Sequence, residues 1–155
     1  MKTIQGLNEA KIVHRDIKAE NILVNEVTNE LKLIDFGFSK LHESGNTMKT
    51  ASGSPLYSAP EILAGERYDP IKSDIWSSGV LLYYMLCGMD DVLMMPGYLP
   101  FYDENIGDLY SKIIFGELEI PSSLNSEAVD LVKKVLNTNS NERISIEEIL
   151  YSYPC

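Results

Sequence analysis

The stretch IVHRDIKAENILV, Ile12 to Val24, sets His14, Arg15, Asp16, Lys18 and Asn21 between two apolar runs of β type. Moving a phosphoryl group from a nucleotide to a hydroxyl needs few protein parts: a carboxylate to orient and deprotonate the hydroxyl, oxygen ligands for magnesium, and a cation near the developing charge. Asp16, Asn21 and Lys18 are residues of those types. A second carboxylate, Asp35, follows in Asp35-Phe36-Gly37, directly after the apolar run LKLI. Each group is unremarkable by itself, since Asp-Phe-Gly is most often a turn and His-Arg-Asp most often a solvated cluster. Their order carries the weight, because Ala59-Pro60-Glu61, then DIWSSG from Asp74, then Arg143 come after them.

Short strands must hold these loops. Ile12-Val13, Ile22-Leu23-Val24 and Leu31 to Ile34 have the apolar character of strands, the last two joined by the polar turn NEVTNE. The first ten residues carry a brief helical pattern, with Ile4 and Leu7 on one side. From Asp74 to Leu86 apolar residues cover more than one helical face, so that helix belongs inside the molecule. Ser73 is its expected N-cap and Gly88 its expected stop. Further helices are expected over 106–115, 126–136 and 145–150, with Ser126 and Ser145 as caps and Glu148 completing a capping box. The fold class is therefore α+β, mainly α-helical, with small β-hairpins.

Bulk properties narrow the function. The chain has 155 residues, 45% of them apolar and 23% charged, which suits one globular domain with a real core. A net charge of −10 speaks against a nucleic-acid or anionic-membrane surface. The longest apolar segment is far shorter than the roughly 20 residues that span a bilayer. Two cysteines, Cys87 and Cys155, make no metal or disulfide framework, so a reducing compartment is expected, the cytoplasm or alternatively the nucleus.

Taken together, HRDIKAEN, DFG, APE and DIWSSG resemble a eukaryotic-type protein kinase, with Ile17 where the usual catalytic-loop pattern has Leu. The resemblance runs along nearly the whole chain, 1–155, and covers only the family's C-terminal lobe, with the N-terminal lobe absent. It implies that Asp16 is the catalytic base and that Lys18 contacts both that base and the transferred phosphate. By the same likeness Asn21 and Asp35 are magnesium ligands, and Leu23 with Ile34 forms the floor of the ATP site. His14 and Phe36 match the hydrophobic column between lobes, which makes His14 a buried structural residue, and Gly37 completes the second motif. Glu61 and Arg143 are expected to pair, and Asp74 to hold the backbone of the catalytic loop. Lys18 together with Ser54 is the serine/threonine pattern. GSPLYSAPE is most similar to the calcium/calmodulin-dependent and AMP-activated branch.

Residues 42–58 correspond to the activation segment. Thr50 matches the activating phosphosite of that branch, which implies an upstream kinase, with Arg15 and Lys40 as the basic contacts of the phosphate. Glu20 matches a position that pairs with a basic residue of a protein substrate. Two departures stand out. No G-x-G-x-x-G occurs anywhere in the sequence, and MDDVLMMPG, 89–97, interrupts what would otherwise read CGYLPF. The expectation is thus a serine/threonine kinase lobe that uses ATP and magnesium and is inactive by itself, the rivals being a kinase-like regulatory module that binds without catalysing and a truncated gene model.

Overall fold

A computed structural model of the protein describes residues 1–43, 45–87, 99–122 and 124–153. The segment 89–97, Gly88 and Cys155 lie outside the described residues. The chain opens with helix α1 (Lys2–Glu9), strand β1 (Ile12–Val13), a 3-10 turn over Ala19–Asn21, and strands β2 (Ile22–Val24), β3 (Leu31–Leu33) and β4 (Lys40–Leu41). A second 3-10 turn, Pro55–Tyr57, precedes α2 (Pro60–Leu63), α3 (Pro70–Cys87), α4 (Ile106–Phe115), α5 (Ser126–Val135) and α6 (Ile146–Ser152). Helices dominate, and the strands form two small antiparallel pairs, β1 with β4 and β2 with β3. The expected α+β class, mainly helical with small hairpins, is what the chain adopts.

The two pairs frame the polar loops. In the hairpin β2–β3, Ile22 sits opposite Leu33 and Val24 opposite Leu31. The Asn25 side chain accepts the amides of Val27 and Thr28, which closes the turn between the strands. Strand β3 stops at Leu33, one residue short of the expected end, although the Ile34 amide still donates to the Asn21 carbonyl at 2.9 Å. Strand β4 has no apolar alternation to announce it. It forms because Val13 and Ile12 on β1 offer an edge to Lys40 and Leu41.

Helix α3 is the axis of the molecule. Trp76 and Val80 on it have no solvent exposure, and they belong to a cluster with Tyr83, Phe101, Leu109, Ile113 and Val132. Its Ile75 belongs to a second cluster with Ile4, Ile17, Val135, Ile146 and Ile149. One helix thus feeds two cores, as the apolar residues around its circumference require. Each such side chain, fully buried, is worth about 1.5–3 kcal/mol. Arg143 closes the assembly, its guanidinium 5.0 Å from the Trp76 ring centre while Phe101 stacks on the same indole at 5.7 Å.

Two expected caps are corrected. Helix α3 starts at Pro70, not after Ser73: the Asp69 carboxylate accepts the Ile71 amide at 2.9 Å, and Ser73 is buried inside the first turns. Proline without an amide hydrogen is suited to a helix start, and that extends the helix upstream of its apolar run. On α5 the cap is Asn125, which accepts the Ala128 amide, so Ser126 is already helical. Ser145 caps α6 as expected, with the reciprocal Glu148 bond of a capping box.

Candidate functional site

The HRDIKAEN loop is held by α3. Asp74, 2% exposed, accepts the His14 amide at 2.7 Å on Oδ2 and the Arg15 amide at 2.8 Å on Oδ1. This clamp fixes a strained backbone, for Arg15 has a φ of 70°, a left-handed value that a non-glycine residue adopts only when its surroundings impose it. Burial pushes the Asp74 carboxyl up to about 6, opposed by the hydrogen bonds from the His14 and Arg15 backbone. His14 is fully buried, and burial lowers its imidazole below the ordinary value. Both its nitrogens are used: Nε2 donates to the Ile34 carbonyl at 3.1 Å and Nδ1 accepts the Asp16 amide at 3.3 Å. Phe36 packs edge-on against the ring at 4.9 Å. Neutral, wedged and doubly bonded, His14 ties the catalytic loop to the Asp35-Phe36-Gly37 turn.

Asp16 follows, only 5% exposed. Its Oδ2 receives the Lys18 ammonium at 2.9 Å and the Asn21 amide nitrogen at 3.1 Å, while the same Asn21 nitrogen donates to the Asp16 carbonyl at 2.7 Å. No donor reaches Asp16 Oδ1 among the described residues. The hydrogen bond to Asp16 raises the Lys18 ammonium above its ordinary value, so it stays charged. Lys18 Nζ also donates to Ser54 Oγ at 3.2 Å. One cation therefore bridges the loop carboxylate and the 42–58 segment, a connection between residues far apart in sequence.

The two oxygen donors expected for magnesium share one end of a hairpin. Asn21 leads into β2 and Asp35 follows β3, and the Ile34 amide bonded to the Asn21 carbonyl holds the two strand ends together. Asn21 engages its amide nitrogen with Asp16, which leaves Oδ1 as its oxygen donor. Asp35 accepts the Gly37 amide at 3.1 Å on Oδ1 in a tight turn with φ 61°. One carboxylate and one amide oxygen are too few to cage a cation, and no group of three or more His, Cys, Asp or Glu side chains gathers among the described residues. They fit magnesium, which takes one or two protein oxygens and completes its shell with phosphate and water.

The remaining expected residues fall as follows. Leu23 is 54% exposed and Phe36 48%, so the floor expected for a nucleotide faces outward. Ile34 is half-buried beside them, and Glu20 is exposed on the 3-10 turn. Arg15 donates from Nη2 to the Thr50 carbonyl at 2.9 Å, and Tyr68 OH donates to that carbonyl at 2.8 Å, which pins the backbone of Thr50 while the residue itself is exposed. Lys40 is exposed on β4 opposite Val13. Glu61 and Arg143 make a bidentate pair at 2.8 and 2.9 Å, Arg143 being 1% exposed.

Three participants escaped the sequence reading. Gly53 has a φ of 93°, and a Cβ there would lie 2.7 Å from the Arg15 carbonyl, so only glycine lets the 42–58 segment touch the HRDIKAEN loop. Gly-Ser-Pro, a turn signature, was a usable signal for it. Tyr57 is buried against the Ala19 backbone, its phenol raised by that burial, and Ser77 Oγ donates to its carbonyl at 2.8 Å. Tyr68 had no signal, because its partner Thr50 is distant in the chain.

The HRDIKAEN loop is thus docked on the 42–58 segment through Lys18, Arg15 and Gly53. The chain belongs to the protein kinase domain family, whose pattern matches residues 1–153. It is 42% identical over 150 residues to the carbon catabolite-derepressing protein kinase of Candida glabrata, covering 97% of this chain and 23% of that protein. Against the protein of the same name from Saccharomyces cerevisiae the identity is 41%, covering 97% and 22%. The SNF1-related protein kinase catalytic subunit alpha KIN12 of Arabidopsis thaliana is 44% identical over 138 residues, covering 89% of this chain and 26% of that protein. The chain thus spans about a quarter of the length of these relatives. The resemblance to a serine/threonine protein kinase drawn from HRDIKAEN, DFG and APE is borne out, and of the calcium/calmodulin-dependent and AMP-activated branch expected, these relatives lie on the SNF1/AMP-activated side.

Proposed function

We propose that these residues are the C-terminal lobe of a serine/threonine protein kinase, in which Asp16 orients and accepts the proton of a substrate hydroxyl. The observation that carries this reading is the chain Asn21–Asp16–Lys18–Ser54, which fixes one oxygen of the carboxylate with two donors and leaves the other for the incoming hydroxyl. Bound magnesium–ATP supplies the electrophilic γ-phosphate, with the metal offsetting its charge. Asn21 and Asp35 would hold the metal, Lys18 would face the transferred group, and Leu23 and Ile34 would carry the adenine. Protein serine or threonine is the acceptor, with Glu20 meeting a basic residue of the substrate, and the cytoplasm or nucleus is the setting.

Thr50 is the proposed activating phosphosite of an upstream kinase. Arg15 lies against its backbone, and Lys40 stands on β4 across from the residue before His14. A phosphate carries about −1.5 to −2 charges and makes one to three charge-assisted hydrogen bonds with such cations. The test joins residues 1–155 to the ATP-covering lobe of the Saccharomyces relative. That chimera should phosphorylate a serine peptide, and Asp16→Asn should reduce turnover roughly 10²- to 10⁴-fold, the usual worth of general base catalysis. Undiminished turnover in the Asp16→Asn protein would refute the assignment.

A further inference from the structure

Between the catalytic loop, the activation segment and the first turns of α3 lies a narrow cavity of about 20 Å³. That is room for one water molecule, which needs roughly 10–15 Å³ of such volume and two to four polar partners. Most polar groups in the wall already have partners. Ser58 Oγ donates to the Ser54 carbonyl, Ser73 Oγ to the Asp69 carbonyl and Ser77 Oγ to the Tyr57 carbonyl, while Asp74 receives two amides. Two lining residues differ: Arg15 Nε and Ser52 Oγ are buried without any hydrogen-bond partner, including each other. The other guanidinium nitrogens of Arg15 reach the Thr50 carbonyl at 2.9 Å and the Phe38 carbonyl at 3.5 Å. Nε is the one guanidinium nitrogen without a partner among the described residues.

A buried donor and a buried hydroxyl left unpaired each oppose folding, more strongly when one is charged. One small neutral molecule with both donor and acceptor capacity removes both costs. An anion would suit Arg15 but would share the cavity with the Asp74 carboxylate, and the volume is too small for phosphate or sulfate. We propose that this cavity binds one structural water, which accepts from Arg15 Nε–H and hydrogen-bonds Ser52 Oγ. Ser52 is then a positioning residue, joined through that water to the arginine beside the catalytic aspartate. The link ties the activation segment to the catalytic loop whether or not Thr50 carries a phosphate. It rests on packing and pairing and stands independently of the phosphoryl-transfer reading.

The test uses the whole chain labelled with ¹⁵N. Water-selective cross-relaxation should give a signal at Arg15 Hε with the sign of a long-lived bound water, and a crystal structure that shows ordered solvent should place a peak within hydrogen-bonding reach of both Arg15 Nε and Ser52 Oγ. Ser52→Ala removes one anchor, so exchange of Arg15 Hε with bulk water should quicken up to about tenfold, the worth of one hydrogen bond. Ser52→Val fills the cavity and should abolish the cross-relaxation signal. A direct bond from Arg15 Nε to a protein oxygen, the lack of a water signal in the unmodified chain, or an unchanged Hε exchange rate in Ser52→Ala would each overturn the proposal. The alanine variant decides the matter even if the valine variant fails to fold.

Discussion

Asp74 accepts the amides of two consecutive residues and has almost no contact with solvent. Its carboxyl, at about 6 in the folded chain and near 3.8 as the ordinary value, is protonated over a range where the unfolded chain is not. The sign follows from that: the burial cost is fully present above about pH 6 and vanishes below the unfolded value, so this residue favours folding more as the pH falls, by up to about 3 kcal/mol. Protonation also weakens its hold on the loop. The amide protons of His14 and Arg15 are expected to titrate together with a midpoint near 6, moving to lower frequency on acidification, and NMR between pH 8 and 5 checks this. At the buried Glu61–Arg143 ion pair, removing the partner of a desolvated charge costs about 3–5 kcal/mol, so Arg143→Ala and Glu61→Ala should each lower stability by that much in urea titrations. The double variant should cost clearly less than their sum, since neither charge is then stranded.

Helices α3 and α5 meet at Gly79. A Cβ there would lie 2.4 Å from Val135 Cγ1 and 2.9 Å from Leu136 Cδ2, so a methyl group has no space unless the helices part. Gly79→Ala gains helix propensity of about 1 kcal/mol but pushes two fully packed elements apart, and overpacking costs about 1–3 kcal/mol. Both contacted residues are buried, so the second effect wins. A net loss of up to about 2 kcal/mol is expected in a denaturant series, whereas Gly6→Ala on the exposed side of α1, where nothing lies within reach of a new Cβ, should be neutral or stabilising.

At the scale of the whole molecule, the face on which the proposed nucleotide would rest is open among the described residues. Leu23 and Phe36 are about half exposed, and the 155 residues contain no glycine-rich phosphate loop. Adenine would gain little apolar burial, and the phosphates would lack most of their cradle. Residues 1–155 by themselves should therefore bind magnesium–ATP only weakly and transfer negligible phosphate. Calorimetric titration and a radiolabel assay check this, and robust transfer that Asp16→Asn abolishes would contradict it.

The local rules of the sequence were enough for the residues whose meaning lies in their neighbours along the chain. Asp16, Lys18 and Asn21 share one short loop, Ile75 to Leu86 displays its burial in its own composition, and the Ser145–Glu148 box is complete within a single turn. The same local logic placed caps at Ser73 and Ser126, and failed there because Asp69 and Asn125, a few residues upstream, satisfy the first amides better. Tertiary structure alone decided what depends on distant partners: β4 exists because β1 offers it an edge, Lys18 reaches Ser54, and Tyr68 and Arg15 converge on one carbonyl of Thr50. Gly53 and Gly79 belong to this second group, since what demands glycine is an atom of another element lying under 3 Å from where a side chain would start. Motifs are legible when a site's chemistry is short-range in sequence. Contacts between elements are set by packing, in which every residue's environment depends on how the rest of the chain has folded.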